Sequence, residues 1–286
     1  MAPIKRFKML LAFLSLLNSF AVIPAEAAYQ RIVSLYTGHT DNIVALGAVA
    51  KLAGVSKNDD SEAVAKLPHL AMKAGPEEIL ALRPDLVLTR GLADRENPNL
   101  RSTLERAGVK VLVIDPPEWD EFGGYIKTIA PLVGGDPDKA AAKFENIKKD
   151  IAAKAAKYKK NKPANVFVEA TSRELTTCTG DSWAAHMIEL AGGSIISKKA
   201  EPIRKGSAIA PWGLEKILAS SSEINVYIIQ QGPMNAADKE SVKKRAWFAA
   251  LKNAKLAFMP ESLLSRPSLL GLERGGAMLI KILYME

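Results

Sequence analysis

Cysteine is almost missing from this chain: Cys178 stands alone among 286 residues. No internal disulfide can form, so an apolar core has to hold the fold. Histidine is nearly as scarce. His39, His69 and His186 lie far apart in sequence, and none belongs to a short-spaced metal pair of the His-x-x-x-His kind. There is no Gly-x-Ser-x-Gly elbow, no phosphate-cradling Gly-x-x-x-x-Gly-Lys and no Gly-x-Gly-x-x-Gly opening a helix. Gly192-Gly193 closes a helical pattern instead of starting one. These absences lower the standing of hydrolytic, nucleotide-dependent and metal-dependent catalysis. Cys178 lies near a strand-end loop with no adjacent basic group to activate it, so it reads as buried and inert. His186 reads as a packed or surface helix residue and His69 as structural, whereas His39, just past a strand end, is open to a ligand-facing role.

Long hydrophobic runs are also lacking, with one exception. Residues 1–27 carry Lys5, Arg6 and Lys8, an apolar run over 9–23, and then Ala25 and Ala27 in an Ala-x-Ala pattern. That is a cleavable signal peptide, and the run is short of the roughly 20 apolar residues of a membrane span. No Arg-Arg pair is present, so the signal reads as Sec-type; no Cys follows it, so no lipid anchor is expected. The expected product is soluble and, in a two-membrane bacterium, periplasmic. Removing residues 1–27 lowers the formal charge from +8 to +6, with 36 basic against 30 acidic residues. Nucleic acid is not a partner to expect in that compartment. The positive balance reads either as a Lys-rich solvated surface or as complementarity to an anionic ligand.

The rest of the chain has three textures. Over 31–119, short β-rich runs alternate with helical stretches: strands over 31–35, 53–55, 86–89 and 109–114, helices over 41–52, 75–82 and 97–107. Pro84 ends the helix over 75–82 by disfavouring helix at Arg83. From about 120 to 162 no strand pattern appears. After Gly134-Gly135-Asp136-Pro137 comes a Lys- and Ala-rich stretch, 138–160, with Ala140, Phe144, Ile147, Ile151 and Ala155 on one helical stripe. Over 163–286 the first rhythm returns: strands over 165–169, 225–229 and 256–259, helices over 181–191, 212–219, 247–251 and 269–283. The fold class is therefore α/β: two lobes, each with a mainly parallel sheet flanked by helices, joined by one long rigid helix, with the cleft between them. The expected boundaries are 1–27 (signal), 28–121 (first lobe), 122–162 (helical linker) and 163–286 (second lobe). Ligands of open α/β sheets sit at the carboxyl ends of the strands, which singles out the loops 36–40, 90–97, 115–119, 170–181 and 229–235.

Several motifs in this order resemble one family. In the first lobe they are Arg31-Ile-Val-Ser-Leu35, Thr40-Asp-Asn-Ile-Val-Ala-Leu-Gly47, Leu52-Ala-Gly-Val-Ser56, and Leu67-Pro68 followed by Glu77-Glu-Ile-Leu-Ala-Leu-Arg-Pro-Asp-Leu-Val87. Leu104-Glu-Arg-Ala-Gly-Val-Lys-Val111 completes that lobe. In the second they are Gly180-Asp-Ser-Trp183, Ile188-Glu-Leu-Ala-Gly-Gly193, Leu214-Glu-Lys-Ile-Leu218 and Trp247-Phe-Ala-Ala-Leu251. The chain resembles the helical-backbone (class III) periplasmic binding proteins that serve ABC importers for ferric siderophores, haem and cobalamin.

The resemblance implies a non-enzymatic, monomeric capture protein that delivers a small-molecule metal chelate to a permease dimer in the inner membrane, with no resident cofactor. It implies one docking carboxylate per lobe, and the matching positions are Glu77 and Glu215, where the helix dipole also favours an acidic residue. It implies cleft ligation by aromatics and arginines, for which position favours Tyr36, His39, Arg90, Trp119, Arg173, Trp183 and Trp212. Trp119 and Trp212 offer flat apolar surface, Arg90 and Arg173 pair with carboxylate or catecholate oxygens, and Trp183, on its helix, reads more readily as core. Lys198, Lys199, Arg204 and Lys205 form either a basic rim or a solvated loop. The expected ligand is a ferric siderophore or similar iron complex; haem, with Tyr36 or His39 as an axial ligand, and cobalamin or another corrinoid are the alternatives. Outside the family, a periplasmic enzyme, a sensor or an adhesion module remain as other classes.

Overall fold

A computed structural model describes residues 28–158, 163–172, 175–251 and 253–285. The signal-peptide assignment therefore falls outside the described residues, as does Arg173.

Five parallel strands, β1 (Ile32–Ser34), β2 (Leu52–Ser56), β3 (His69–Leu70), β4 (Leu86–Thr89) and β5 (Lys110–Val113), form the first sheet in the order β3-β2-β1-β4-β5. The connections carry α1 (Thr37–Ala45), α2 (Pro76–Leu80), α3 (Gly91–Glu96) and α4 (Leu100–Arg106). Every residue of β1 and β4 is buried, as expected of parallel strands covered on both faces. The helix read from sequence at 41–52 starts four residues earlier and ends sooner. Gly47, at φ 77°, stops it: Gly47 N–H reaches the Val44 carbonyl at 2.9 Å and Ala48 N–H the Ile43 carbonyl at 3.0 Å, a Schellman pair. Arg83 takes φ 49° ahead of Pro84, so α2 ends where proline chemistry requires. His69, assigned from sequence to a loop, is instead the first residue of the short edge strand β3.

The middle segment holds two helices where the sequence suggested one. α5 (Phe122–Leu132) buries Phe122, Tyr125, Ile126 and Ile129, and α6 (Pro137–Ala156) folds back on it. Asp136 caps α6, its Oδ1 accepting from the N–H groups of Asp138 and Lys139, both at 2.9 Å, with Pro137 in the first turn. Such a cap stabilises by about 1 kcal/mol. At 20 residues, α6 is on the order of 30 Å long. Its five-residue stripe, Ala140, Phe144, Ile147, Ile151 and Ala155, is buried throughout.

In the second lobe come β6 (Asn165–Glu169), β7 (Thr176–Cys178), α7 (Trp183–Leu190), β8 (Ser194–Ile195), β9 (Ile209–Pro211), α8 (Gly213–Ser220), β10 (Val226–Gln231), α9 (Lys239–Lys243), β11 (Lys255–Pro260), α10 (Glu261–Leu264) and α11 (Leu269–Tyr284). β11-β10-β6-β8 is a parallel sheet, and β7 pairs antiparallel with β9 beside it. β7 and β9 were not visible as strands in the sequence, because their three residues each are too few to show a period.

One apolar cluster runs through both lobes. It takes Ile32, Leu86 and Leu88 from the first sheet, Val166, Val168 and Ile228 from the second, and the inner faces of α5, α6, α7 and α11 between them. α11 lies close against its neighbours because Gly275 and Gly276 leave room. A Cβ on Gly275 would overlap the Leu263 carbonyl oxygen, and one on Gly276 would overlap the Ile151 side chain.

Candidate functional site

The first sheet changes direction between β1 and β4, and the second between β6 and β10. A crevice opens at such a switch point, outside the carboxyl ends of the strands. The loops there carry Tyr36 after β1 and Arg90 after β4, and, in the other lobe, residues 170–172 after β6 and Gly232–Asn235 after β10.

Tyr36 and Arg90 meet. The Arg90 guanidinium sits over the Tyr36 ring, 5.0 Å from its centroid, and both side chains are half-buried. Asp115, at the end of β5, accepts from Gly91 N–H at 2.9 Å and so ties the two neighbouring loops of the first lobe together. From the second lobe, Arg266 and Glu261 bear electrostatically on Tyr36. They pair with each other at 3.4 Å. Burial pushes the Tyr36 phenol up to about 12, against the pull of the two arginines, so it stays protonated at neutral pH. Arg266 and Glu261 escaped the sequence reading because the loops singled out there stop before the one that follows β11. The signal was nonetheless present, since 256–259 reads as a strand and Arg266 lies past its carboxyl end.

The second lobe contributes a fixed wall. Glu169, at the carboxyl end of β6, is fully buried and takes four donors: Tyr227 Oη at 2.6 Å, Arg245 Nη1 at 2.5 Å and Nη2 at 3.1 Å, and Asn235 Nδ2 at 3.1 Å. A buried carboxylate is tolerable when its lone pairs are satisfied in this way. Asn235 also closes the Gly232–Asn235 turn by reciprocal backbone bonds of 3.0 Å, so the network pins that loop to the sheet.

Other sequence candidates lie elsewhere. His39 is fully buried below the crevice. Its Nδ1 accepts from the Tyr125 hydroxyl at 2.7 Å, and its Nε2 contacts the Ile114 carbonyl at 3.0 Å, which places the ring proton on Nε2. Burial lowers its pKa to about 4. With both ring nitrogens engaged inside the lobe, His39 does not face the crevice in this conformation. Trp119 stacks on His186 (centroids 5.1 Å apart) and packs on Trp183 (4.6 Å) and Phe144 (5.8 Å), in the joint between the linker helices and the second lobe. Trp183 is 5% exposed and belongs to the apolar core. Trp212 leans on Phe167 with Lys216 over its ring, at the edge of the second lobe's own cluster. Of the seven positions, the structure brings Tyr36 and Arg90 together and sets His39, Trp119 and Trp183 into packing. Cys178 is buried, its thiol pushed up to about 11 by desolvation.

Glu77 and Glu215 are exposed in the first turns of α2 and α8, one on each lobe. Lys198, Lys199, Arg204 and Lys205 are exposed, with Lys198 paired to Glu189 at 2.7 Å. A concavity of ≈ 850 Å³ lies at the amino ends of the second sheet, lined by Asn165, Asn225, Lys255 and Tyr284 among others. It is on the side away from the switch point and gathers no comparable set of charged groups. Among the described residues, no helix is long and apolar enough to cross a membrane, and no group of three or more His, Cys, Asp or Glu is arranged to hold a metal ion.

Comparison with known proteins agrees with this architecture. Residues 32–263 match the family model described as periplasmic binding protein. An uncharacterized ABC transporter substrate-binding lipoprotein, YvrC, of Bacillus subtilis is 28% identical over 169 residues, which are 56% of this chain; the match spans only about half, 53%, of the Bacillus protein. The vitamin B12-binding protein of Vibrio parahaemolyticus is 22% identical over 70% of this chain and 71% of its own. The crystal structure of the periplasmic heme-binding protein HutB of Vibrio cholerae superposes with a TM-score of 0.70 at 19% identity, covering 87% of this chain and 97% of that one, a likeness of fold. With its two parallel-sheet lobes, its linking helices and a family match over most of its length, the chain belongs to the periplasmic binding protein family, in the helical-backbone class.

Proposed function

We propose that this chain captures an anionic metal chelate, a ferric siderophore or similar iron complex, and delivers it to an ABC permease in the inner membrane after export through a Sec signal over residues 1–27. The observation that carries the reading is the Arg90 guanidinium over the Tyr36 ring at the switch point of the first sheet, with Arg266 of the other lobe near enough to act electrostatically on the same phenol. A guanidinium from either side suits carboxylate or catecholate oxygens, and the tyrosine ring adds a flat apolar contact. The inward position of His39 and the protonated Tyr36 phenol favour a ligand held by charge and stacking over one gripped through its metal. Haem and cobalamin, named in the relatives, are the alternative ligands of the same cleft. Arg173, four residues past β6 in sequence, is proposed to add a third cation. Glu77 and Glu215 are proposed as the two permease contacts, since separated carboxylates on two lobes fix orientation on a two-fold partner. The lobes of residues 28–121 and 163–286 then act as two jaws on the 122–162 linker.

Calorimetric titration of the purified chain against ferric siderophores, haem and cobalamin tests the reading. Tight binding of a ferric siderophore, weakened at least tenfold by Arg90→Ala and by Arg266→Ala, is the expected result. If only cobalamin binds and neither variant matters, the anionic-chelate reading is wrong.

A further inference from the structure

Beside the crevice, the two lobes meet along a seam lined with carboxyl groups. Asp41 comes from α1, and Asp59 and Asp60 from the loop after β2. Facing them are Ser262 of α10, Ser268 at the start of α11, and Arg266 between. The Ser262 hydroxyl donates to Asp60 Oδ2 at 2.9 Å, and the Ser268 hydroxyl lies 3.5 Å from Asp41 Oδ2. Thr40 donates to Asp59 Oδ2 at 3.1 Å. Asp59 Oδ1 and the Ser61 hydroxyl are buried without a hydrogen-bonding partner, in side chains that are 6% and 8% exposed. An ionised carboxylate in that position costs much more than a protonated one.

We propose that this seam is a proton-operated latch: with Asp41 and Asp59 protonated the lobes are held together, and as both ionise the lobes part about the linker. The charges around the pair do not cancel. Asp41 is faced by Asp59 and Asp60 across α1, by Arg266 from the second lobe, and by the uncharged phenols of Tyr36 and of Tyr125 on α5. Asp59 is faced by Arg266 and by His69 on β3. Arg266 is shared with Glu261 of α10. Arg90 acts on Tyr36 and His39, and Asp115 on His39, at the far end of α1. One guanidinium thus serves three carboxyl groups, Asp41, Asp59 and Glu261. Desolvation raises both buried carboxyls, Asp41 to about 7 with help from its two acidic neighbours, and Asp59 to about 6 despite the Thr40 bond. Once the seam parts, water returns both to the usual 3.8. The joined form therefore binds more protons, and its advantage fades as pH climbs from about 4 to about 7. The joined-to-parted ratio falls about tenfold per pH unit for each proton the seam retains.

The test needs no ligand, so its outcome is independent of the proposed cargo. Spin labels are placed at exposed positions of the two lobes by Ala63→Cys and Ala249→Cys, Cys178 being buried, and the interlobe distance is measured by pulsed electron resonance at pH 5 and pH 8. A short distance at pH 5 giving way to a longer one at pH 8, and a short distance at both in the Asp41→Asn, Asp59→Asn background, is expected. The same distribution at both pH values, or a pH shift that survives both substitutions, overturns the latch. Should the double variant not fold, carbon-13 carboxyl shifts of Asp41 and Asp59 in the otherwise unaltered chain decide; titration of both below pH 5 overturns it as well.

Discussion

The side-chain carbonyl of Asn42 accepts a hydrogen bond from the backbone N–H of Leu269 at 2.9 Å, joining residues 227 apart in sequence and on opposite lobes. Leu269 N–H is an otherwise orphaned donor in the first turn of α11. Asn42 Nδ2 meanwhile donates to the Gly38 carbonyl at 2.7 Å. Asn42→Ala leaves a buried N–H unpaired, and is expected to cost about 1–3 kcal/mol of unfolding free energy. Urea denaturation monitored by circular dichroism, with an unchanged slope, measures the loss; a change within error would show that water substitutes for the amide.

Gly275→Ala is expected to destabilise by about 1–3 kcal/mol, the range for overpacking a close-packed interior. The added methyl meets a backbone carbonyl, that of Leu263, which has no rotamer to escape into. Gly108→Ala serves as the contrast: its neighbourhood is empty and only its φ of 84° opposes the change. Differential scanning calorimetry of the two variants separates crowding from backbone strain.

Charge reversal at Glu77 and Glu215 together should abolish uptake in vesicles reconstituted with the cognate permease while calorimetric ligand affinity stays unchanged. Weakened ligand binding in the double variant would remove both residues from the docking role and place them at the cleft.

Acid stability should reveal two opposed limbs. His39, held near 4 by burial, is neutral in the folded chain while the unfolded chain takes a proton below about 6.5, so stability falls as pH drops from about 6.5 to about 4. Asp41 and Asp59 have the reverse sign: the folded chain holds protons that the unfolded chain releases, so stability falls as pH rises from about 4 to about 7. Two carboxyl protons outweigh one histidine proton, so wild-type stability should fall as pH rises from about 4 to about 7, by about one proton's worth over most of that interval. With Asp41→Asn and Asp59→Asn the histidine limb stands alone, and stability should rise steadily from pH 4 to pH 6.5 in denaturant titrations.

The α/β rhythm was legible because period and punctuation agree in it. Leu86–Thr89 is an apolar run bounded by Pro84 and Gly91, and the α6 stripe recurs at spacings of three and four. α5 was lost because Gly123, Gly124 and Pro131 weaken helix propensity in a segment that packing alone makes helical. The site was legible only where it lies at a strand end near its own lobe's motifs, as with Tyr36 and Arg90. Position along the chain cannot tell an aromatic that faces the crevice from one that faces the joint, and Trp119 turns toward His186 and Trp183. Arg266 and Asp41 come together from 225 residues apart through the α1–α11 contact, a tertiary event with no local trace.

The apolar cluster that passes from Ile32 through α5, α6 and α11 to Ile228 gives the two lobes a common melting fate. Neither lobe can unfold without stripping apolar cover from the linker helices that both share, so partial unfolding of one half gains chain entropy at the expense of burial in both. Heating should release both sheets in one cooperative transition, with calorimetric and van't Hoff enthalpies equal, and cutting the chain between the lobes should leave two fragments that fold only when mixed.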